Sequence, residues 1–145
     1  MFAHYNYDNY EKKNIVKVVF DTNIIDDNDF DNFLNEWLQL YNLKKDFIFI
    51  FDTTNVGYVP IKYSFKMSAF IKNLKRMEYQ YLKKSIILVK SNFVKNMLDL
   101  IFYIQPPVAP VYLTQNQEDI NDILNDIIPQ NVVTILPGKS FLNLF

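Results

Sequence analysis

Residues Phe47 to Phe51 read Phe-Ile-Phe-Ile-Phe, five apolar residues in a row bounded by Lys44, Lys45 and Asp46 on one side and Asp52 on the other. The run is too short for a helix and shows no polar alternation, so it describes a strand covered on both faces and placed near the centre of a sheet. Ile86 to Val89 repeats the signature in a weaker form. Two such strands demand layers of other elements above and below them.

The segments between these strands carry a helical period. Phe30, Phe33, Leu34, Trp37, Leu38 and Tyr41 recur at three- and four-residue spacing, which predicts one apolar helix face behind Asp26, Asp27, Asn28 and Asp29. Acids suit that position, since the first helical turn exposes unpaired N–H groups. From Ser64 a second helix is expected to turn Phe65, Met67, Phe70, Ile71, Leu74, Met77 and Tyr81 inward. Phe93 to Ile104 repeats the pattern through Val94, Met97, Leu98 and Ile101, and is stopped by Pro106, Pro107 and Pro110. Thr114 with Gln117 forms the pattern of a capping box ahead of Ile120, Ile123, Leu124 and Ile127.

Asn14 to Phe20 reads as a further strand, preceded by a possible hairpin arm over Tyr5 to Tyr10. Val111 to Leu113 reads as a short strand, and Val132 to Leu136 as an edge strand or an extended tail. Asp52 to Tyr63, containing Gly57 and Pro60, is a loop leaving the central strand. Strands alternating with helices predict a single α/β domain over 1–145, with a mixed or mostly parallel sheet of four to five strands and about four helices. A chain of 145 residues that is half apolar is of the right size for one such core.

Composition removes several chemistries. The chain has no cysteine, so disulfides, a thiolate nucleophile and a cysteine-bound zinc are excluded, and a reducing compartment is expected. No apolar run is long enough to cross a bilayer, and Met1 to Lys13 lacks the apolar core of a signal peptide, so a cytoplasmic location is expected. The one histidine, His4, supports neither a His-Ser-acid triad nor a histidine metal site. Gly57 and Gly138 are the only glycines, too few for a Walker loop or a dinucleotide fingerprint. Asp27, Asp29 and Asp31 alternate like the start of a calcium loop, but Asn32 and Leu38 stand where glycine and glutamate are needed. The sequence asks for no cofactor and no metal.

Charge is segregated. Residues 62–95 carry Lys62, Lys66, Lys72, Lys75, Arg76, Lys83, Lys84, Lys90 and Lys95 against the single acid Glu78, a net +8. Residues 1–61, with ten acids and five bases, are at −5, and residues 96–145, with five acids and Lys139, are at −4. A basic helix of this kind presents an anion-facing or acid-facing surface. It is expected to contact its partner through Lys62, Ser64, Lys66, Lys72, Lys75 and Arg76, together with the loop Thr53 to Ser64. Another protein is the first expectation for that partner and an anionic lipid or membrane surface the second. Nucleic acid ranks behind both, and a homo-oligomer is compatible with the sequence.

Two family resemblances sharpen these expectations. Val18 to Asn23, Val-Val-Phe-Asp-Thr-Asn, resembles the opening strand of PIN-domain nucleases, which implies a metal-binding role for Asp21, with Asp99, Glu118, Asp119 and Asp122 nominated as further carboxylates. From Asn14 to Leu124 the chain resembles the STAS domain of anti-sigma-factor antagonists and, beyond it, lipid-binding CRAL-TRIO domains. The pieces that carry this likeness are Val-Val-Phe followed by a helix, then Phe-Ile-Phe-Ile-Phe-Asp-Thr-Thr-Asn-Val, then Lys83 to Ile101. The STAS likeness implies a non-catalytic regulatory binding module. Pro60, Ile61, Lys62 and Tyr63 replace the family's phosphorylated Asp-Ser-Ser-Gly loop, with Ser64 adjacent. The CRAL-TRIO likeness implies a small-lipid binder, although Phe93 to Val111 is short for that family's helical gate. Reading the chain as a STAS-like binding module thus stands first, the PIN-like nuclease second and the lipid binder third.

Overall fold

The computed structural model describes residues 1–138. In chain order the elements are β1 (Ala3–Asn6), α1 (Tyr10–Lys13), β2 (Ile15–Phe20), α2 (Asp27–Asn42), β3 (Phe47–Asp52), α3 (Ile61–Lys75), β4 (Leu82–Leu88), α4 (Asn92–Ile104), β5 (Val111–Thr114), α5 (Asp119–Leu124) and β6 (Val133–Ile135). The strands form one sheet whose spatial order is the chain order, β1-β2-β3-β4-β5-β6. Strands β2 to β5 are parallel, and the edges β1 and β6 run antiparallel to their neighbours. The α/β class and the mixed sheet agree with expectation, but the described residues form six strands and five helices rather than four to five and about four.

This topology decides where the layers lie. Each parallel crossover is right-handed as a rule, so consecutive strands laid down in one direction place their crossover helices on one face. Accordingly, α2, α3 and α4 share one core with the odd-numbered phenylalanines of β3: Phe33, Trp37, Ile71, Leu74, Val94 and Ile101 cluster with Phe47, Phe49 and Phe51. The other face is thinner. Ile50 and Ile86 meet Ile120 and Ile123 of α5 in a separate small cluster. Phe49 is fully buried, and each such ring contributes roughly 2–3 kcal/mol by leaving water. Rings pack edge to face around it, with Trp37 at 4.9 Å and Phe47 at 5.0 Å between centroids.

Local signals account for most boundaries. Asp26 caps α2, its side chain accepting from Asp29 N at 2.9 Å, and Ser91 caps α4 by accepting from Val94 N at 3.1 Å. Asn14, at φ 59°, ends the single turn α1 in the left-handed conformation that asparagine tolerates. β1 covers Ala3–Asn6 rather than Tyr5 to Tyr10, with His4 paired opposite Val19. Its anchor lies outside the strand: Asp29, 7% exposed, accepts from Phe2 N at 2.6 Å and from Ile25 N at 3.1 Å. One buried carboxylate therefore ties the first strand to the start of α2.

Four expectations are corrected. The capping box does not form: Glu118 occupies the cap position without a side-chain bond, while Thr114 Oγ1 donates to Asp119 Oδ2 at 2.8 Å, and the helix stops at Leu124 before Ile127. α3 starts at Ile61 rather than Ser64, and Phe65 and Met77 face outward at 52% and 40% exposure. The buried row is Tyr63, Ser64, Ser68, Ile71 and Leu74, because α3 packs on α4 through small residues. Ser68 Oγ lies 3.0 Å from Ser64 O and 3.3 Å from Ile101 O.

Candidate binding surface

The basic segment covers α3, the turn after it and β4, and the fold spends much of its charge internally. At the start of α3, Lys62 Nζ stands 3.1 Å from Asp27 Oδ1, and Lys66 Nζ stands 3.6 Å from Asp27 Oδ2 and 3.9 Å from Asp31 Oδ1. Tyr63 donates its hydroxyl to the same Asp27 at 2.8 Å. That hydroxyl, followed by the Lys62 ammonium, holds the Asp27 carboxyl below the usual carboxylate range, and Asp27 in turn raises Lys62. Burial and the bond to Asp27 push the Tyr63 phenol up.

Further along, Lys83 lies 3.7 Å from Asp46, with its ammonium raised first by the Tyr79 hydroxyl, and Lys95 lies 3.2 Å from Asp99. Lys84 is turned into the thin core, where it donates to Ile123 O and to Asp126 Oδ1, each at 2.9 Å. It closes the C-terminal end of α5 rather than facing a partner. Five of the nine cations are thus matched by acids that all come from the two negative segments of the chain.

What stays unmatched is confined to two places. Among the described residues, no carboxylate lies within ion-pair distance of Lys72, Lys75, Arg76 or Lys90. Lys90 follows β4 at the C-terminal edge of the sheet. Lys72, Lys75 and Arg76 lie together at the other end of the domain, where α3 finishes, and Lys75 also donates to Gly138 O. Beside them the exposed Met77 and Tyr79 complete a cationic and apolar patch. Tyr79 is held in place, its ring 4.6 Å from that of Tyr81 and beneath the Lys83 ammonium at 4.5 Å. Glu78, the single acid of the segment, makes no ion pair among the described residues.

The expected contact residues therefore divide. Lys72, Lys75 and Arg76 are exposed and unmatched, Lys62 is exposed but paired, Lys66 is half-buried and paired, and Ser64 is 3% exposed and turned away from solvent. Met77 and Tyr79 were missed because helical spacing continued past Lys75 assigns Met77 to the core. The helix ends at Arg76, which breaks that phase.

Comparison with protein-family models, curated proteins and solved structures finds no match to this chain. The geometry of its acids is then the remaining guide to other chemistry. Asp21 follows β2 and sits 3.0 Å from His4 Nε2, both exposed. Asp99 pairs with Lys95 on α4, and Asp119, the first residue of α5, accepts from Thr114 at the end of β5. Among the described residues no three His, Cys, Asp or Glu side chains come close enough to hold a metal ion, so the carboxylates nominated with Asp21 are not brought together. Also among the described residues, no helix is long and apolar enough to cross a membrane.

The loop from Thr53 to Pro60 is firmly seated. Gly57 N donates to Thr22 O at 2.9 Å, and a Cβ at Gly57 would meet Thr22 Cγ2 at 3.1 Å. Glycine at this position lets the β3–α3 loop lie directly on the β2–α2 loop.

Proposed function

We propose that this chain is a non-catalytic, STAS-like binding domain that holds a protein partner on the patch formed by Lys72, Lys75, Arg76, Met77 and Tyr79. The observation that carries this reading is the side-chain mixture at the end of α3: three cations without internal acids beside an exposed methionine and an exposed, braced tyrosine. Methionine and tyrosine are enriched in protein interfaces, whereas a surface built only to attract phosphate needs cations alone. Complementary charge would steer an acidic partner to the patch, and the apolar side chains would add affinity once water is expelled. The relation to STAS domains is supported by the placement of the matching pieces. Phe47 to Val56 forms β3 and its exit loop, and Lys83 to Ile101 forms β4 and α4.

The test uses two triple variants with the same net charge. Lys72→Gln, Lys75→Gln and Arg76→Gln should abolish retention on immobilised poly-glutamate at low salt. Lys62→Gln, Lys66→Gln and Lys95→Gln should leave retention nearly unchanged, since those cations already have partners. Equal loss in both variants would show a general charge effect and remove the patch. Sedimentation with phosphatidylserine vesicles, lost in the first variant and accompanied by no retention on poly-glutamate, would transfer the surface to a membrane and overturn the protein partner.

A further inference from the structure

Strands β4 and β5 are parallel neighbours, yet the chain leaves them towards opposite faces of the sheet. β4 leads into α4, whose Val94, Leu98 and Ile101 belong to the main core, whereas β5 leads into α5, whose Ile120 and Ile123 cover the thin face. The strand after α5 is antiparallel, so the handedness that places α2, α3 and α4 together does not bind α5. Exit loops that part in this way leave a crevice at the C-terminal edge of the sheet, which is where open α/β sheets hold their ligands. A pocket of about 190 Å³ lies at that point. It is bounded by the turn after β4 with the start of α4, by the end of β5, and by the residues that lead into β6.

The lining is one-sided in its chemistry. Lys90 and Lys95 contribute to it, and neither aspartate nor glutamate does. Lys95 is matched by Asp99 at 3.2 Å, so the excess charge belongs to Lys90, the one cation of the basic segment outside the end of α3 that has no acid among the described residues. Asn92, Gln115 and Asn131 reach the same space from three parts of the chain, and among the described residues their side chains have no hydrogen-bond partner. Ser91 and Thr114 are already committed, the first accepting from Val94 N at 3.1 Å and the second donating to Asp119 at 2.8 Å. The uncommitted groups are therefore one ammonium and three amides, beside the buried Val89 and Leu113.

A recess lined by one sign of charge focuses its field and gathers the opposite sign. Side-chain amides both donate and accept, which suits the oxygens and hydroxyls of a hydrophilic molecule. A cation would meet no counter-charge in the pocket. We infer that the pocket binds a small hydrophilic molecule by its oxyanion head, phosphate or carboxylate, with Lys90 pairing the charge and Asn92, Gln115 and Asn131 bonding to its oxygens. Because the pocket and the patch at the end of α3 lie at opposite ends of the domain, either can fail without the other.

The intact chain can be titrated with inorganic phosphate, glycerol 3-phosphate and malate and followed by nitrogen-15 correlation spectra, in about 0.1 M sodium chloride so that isolated surface charges are largely screened. At least one of these compounds should bind saturably and move the side-chain amide resonances of Asn92, Gln115 and Asn131 along a common curve. The tightest of them names the head group. Lys90→Gln should weaken that binding about tenfold, the worth of one bond to a charged group. Lys72→Gln removes an unmatched cation at the other end of the domain and should leave binding unchanged. If none of the compounds saturates in the wild type, the inference is overturned, and that outcome needs no variant to fold. It is equally overturned if Lys90→Gln binds as tightly as the wild type, or if Lys72→Gln weakens binding as much as Lys90→Gln, which would mark unspecific attraction of anions.

Discussion

Replacing Asp29 by asparagine tests how the first strand is held. Asp29 is 7% exposed and accepts from two backbone donors, Phe2 N at 2.6 Å and Ile25 N at 3.1 Å. Asparagine keeps the shape but offers one acceptor oxygen, so an amide nitrogen must face one of those N–H groups. One charge-assisted bond is lost outright and the other becomes neutral. With roughly 1.5–3 kcal/mol for a bond to a charged group and about 1 kcal/mol for a neutral one, the expected loss is about 2–4 kcal/mol. Asp26→Ala is the control on the same helix start, since it removes only the cap to Asp29 N and should cost about 1 kcal/mol. Urea unfolding followed by the fluorescence of Trp37 and by far-ultraviolet circular dichroism gives both numbers, with unchanged m-values showing that the unfolded state is the same. If Asp29→Asn lies within about 0.5 kcal/mol of the wild type, or is no worse than Asp26→Ala, the carboxylate does not anchor β1 and the reasoning fails.

Three further outcomes follow from the polar contacts. Tyr41, whose hydroxyl donates to Gln80 Oε1 at 2.7 Å, is pushed up to about 12 by burial. An unfolded tyrosine ionises near 10, so this contribution to stability is complete below pH 10 and is lost as the pH rises to about 12. Tyr41→Phe should flatten that part of an alkaline denaturation curve. Asp27 is held below the carboxylate range, so its contribution is present above the unfolded value and lost as the pH falls through the folded one. In Tyr63→Phe, carbon-13 titration of Asp27 should therefore show its midpoint moved upward, and a stability deficit that shrinks towards acid. Lys84→Met strands the carbonyl of Ile123 at the end of α5 and should cost roughly 1–3 kcal/mol in urea unfolding.

The sequence shows β3 and α2 plainly because burial on both faces, or on one helical stripe, leaves a mark in consecutive residues. The start of α3 is less legible. Ser64 and Ser68 occupy its buried row while Phe65 lies outside, since close approach to α4 selects small side chains and hydropathy does not record that distance. The charge pattern was visible in full, but its meaning was not. Lys84 meets Asp126 across 42 residues and Lys62 meets Asp27 from another helix, so only the fold distinguishes matched cations from the three left at the end of α3. Trp37 was legible as a core residue. Its indole N–H lacks a hydrogen-bond partner among the described residues, which depends on what surrounds the ring, and a one-dimensional pattern carries no trace of it.

The agreement between spatial and chain order of the strands bears on how the protein is made. From β2 onwards, every strand is added to an edge already formed by the segment translated before it, and none must be threaded between two earlier ones. Synthesis proceeds from the N-terminus at a pace slow compared with the docking of a strand and a helix. A chain still attached to the ribosome can thus assemble its sheet one β-α step at a time, with a single growing edge exposed at each stage.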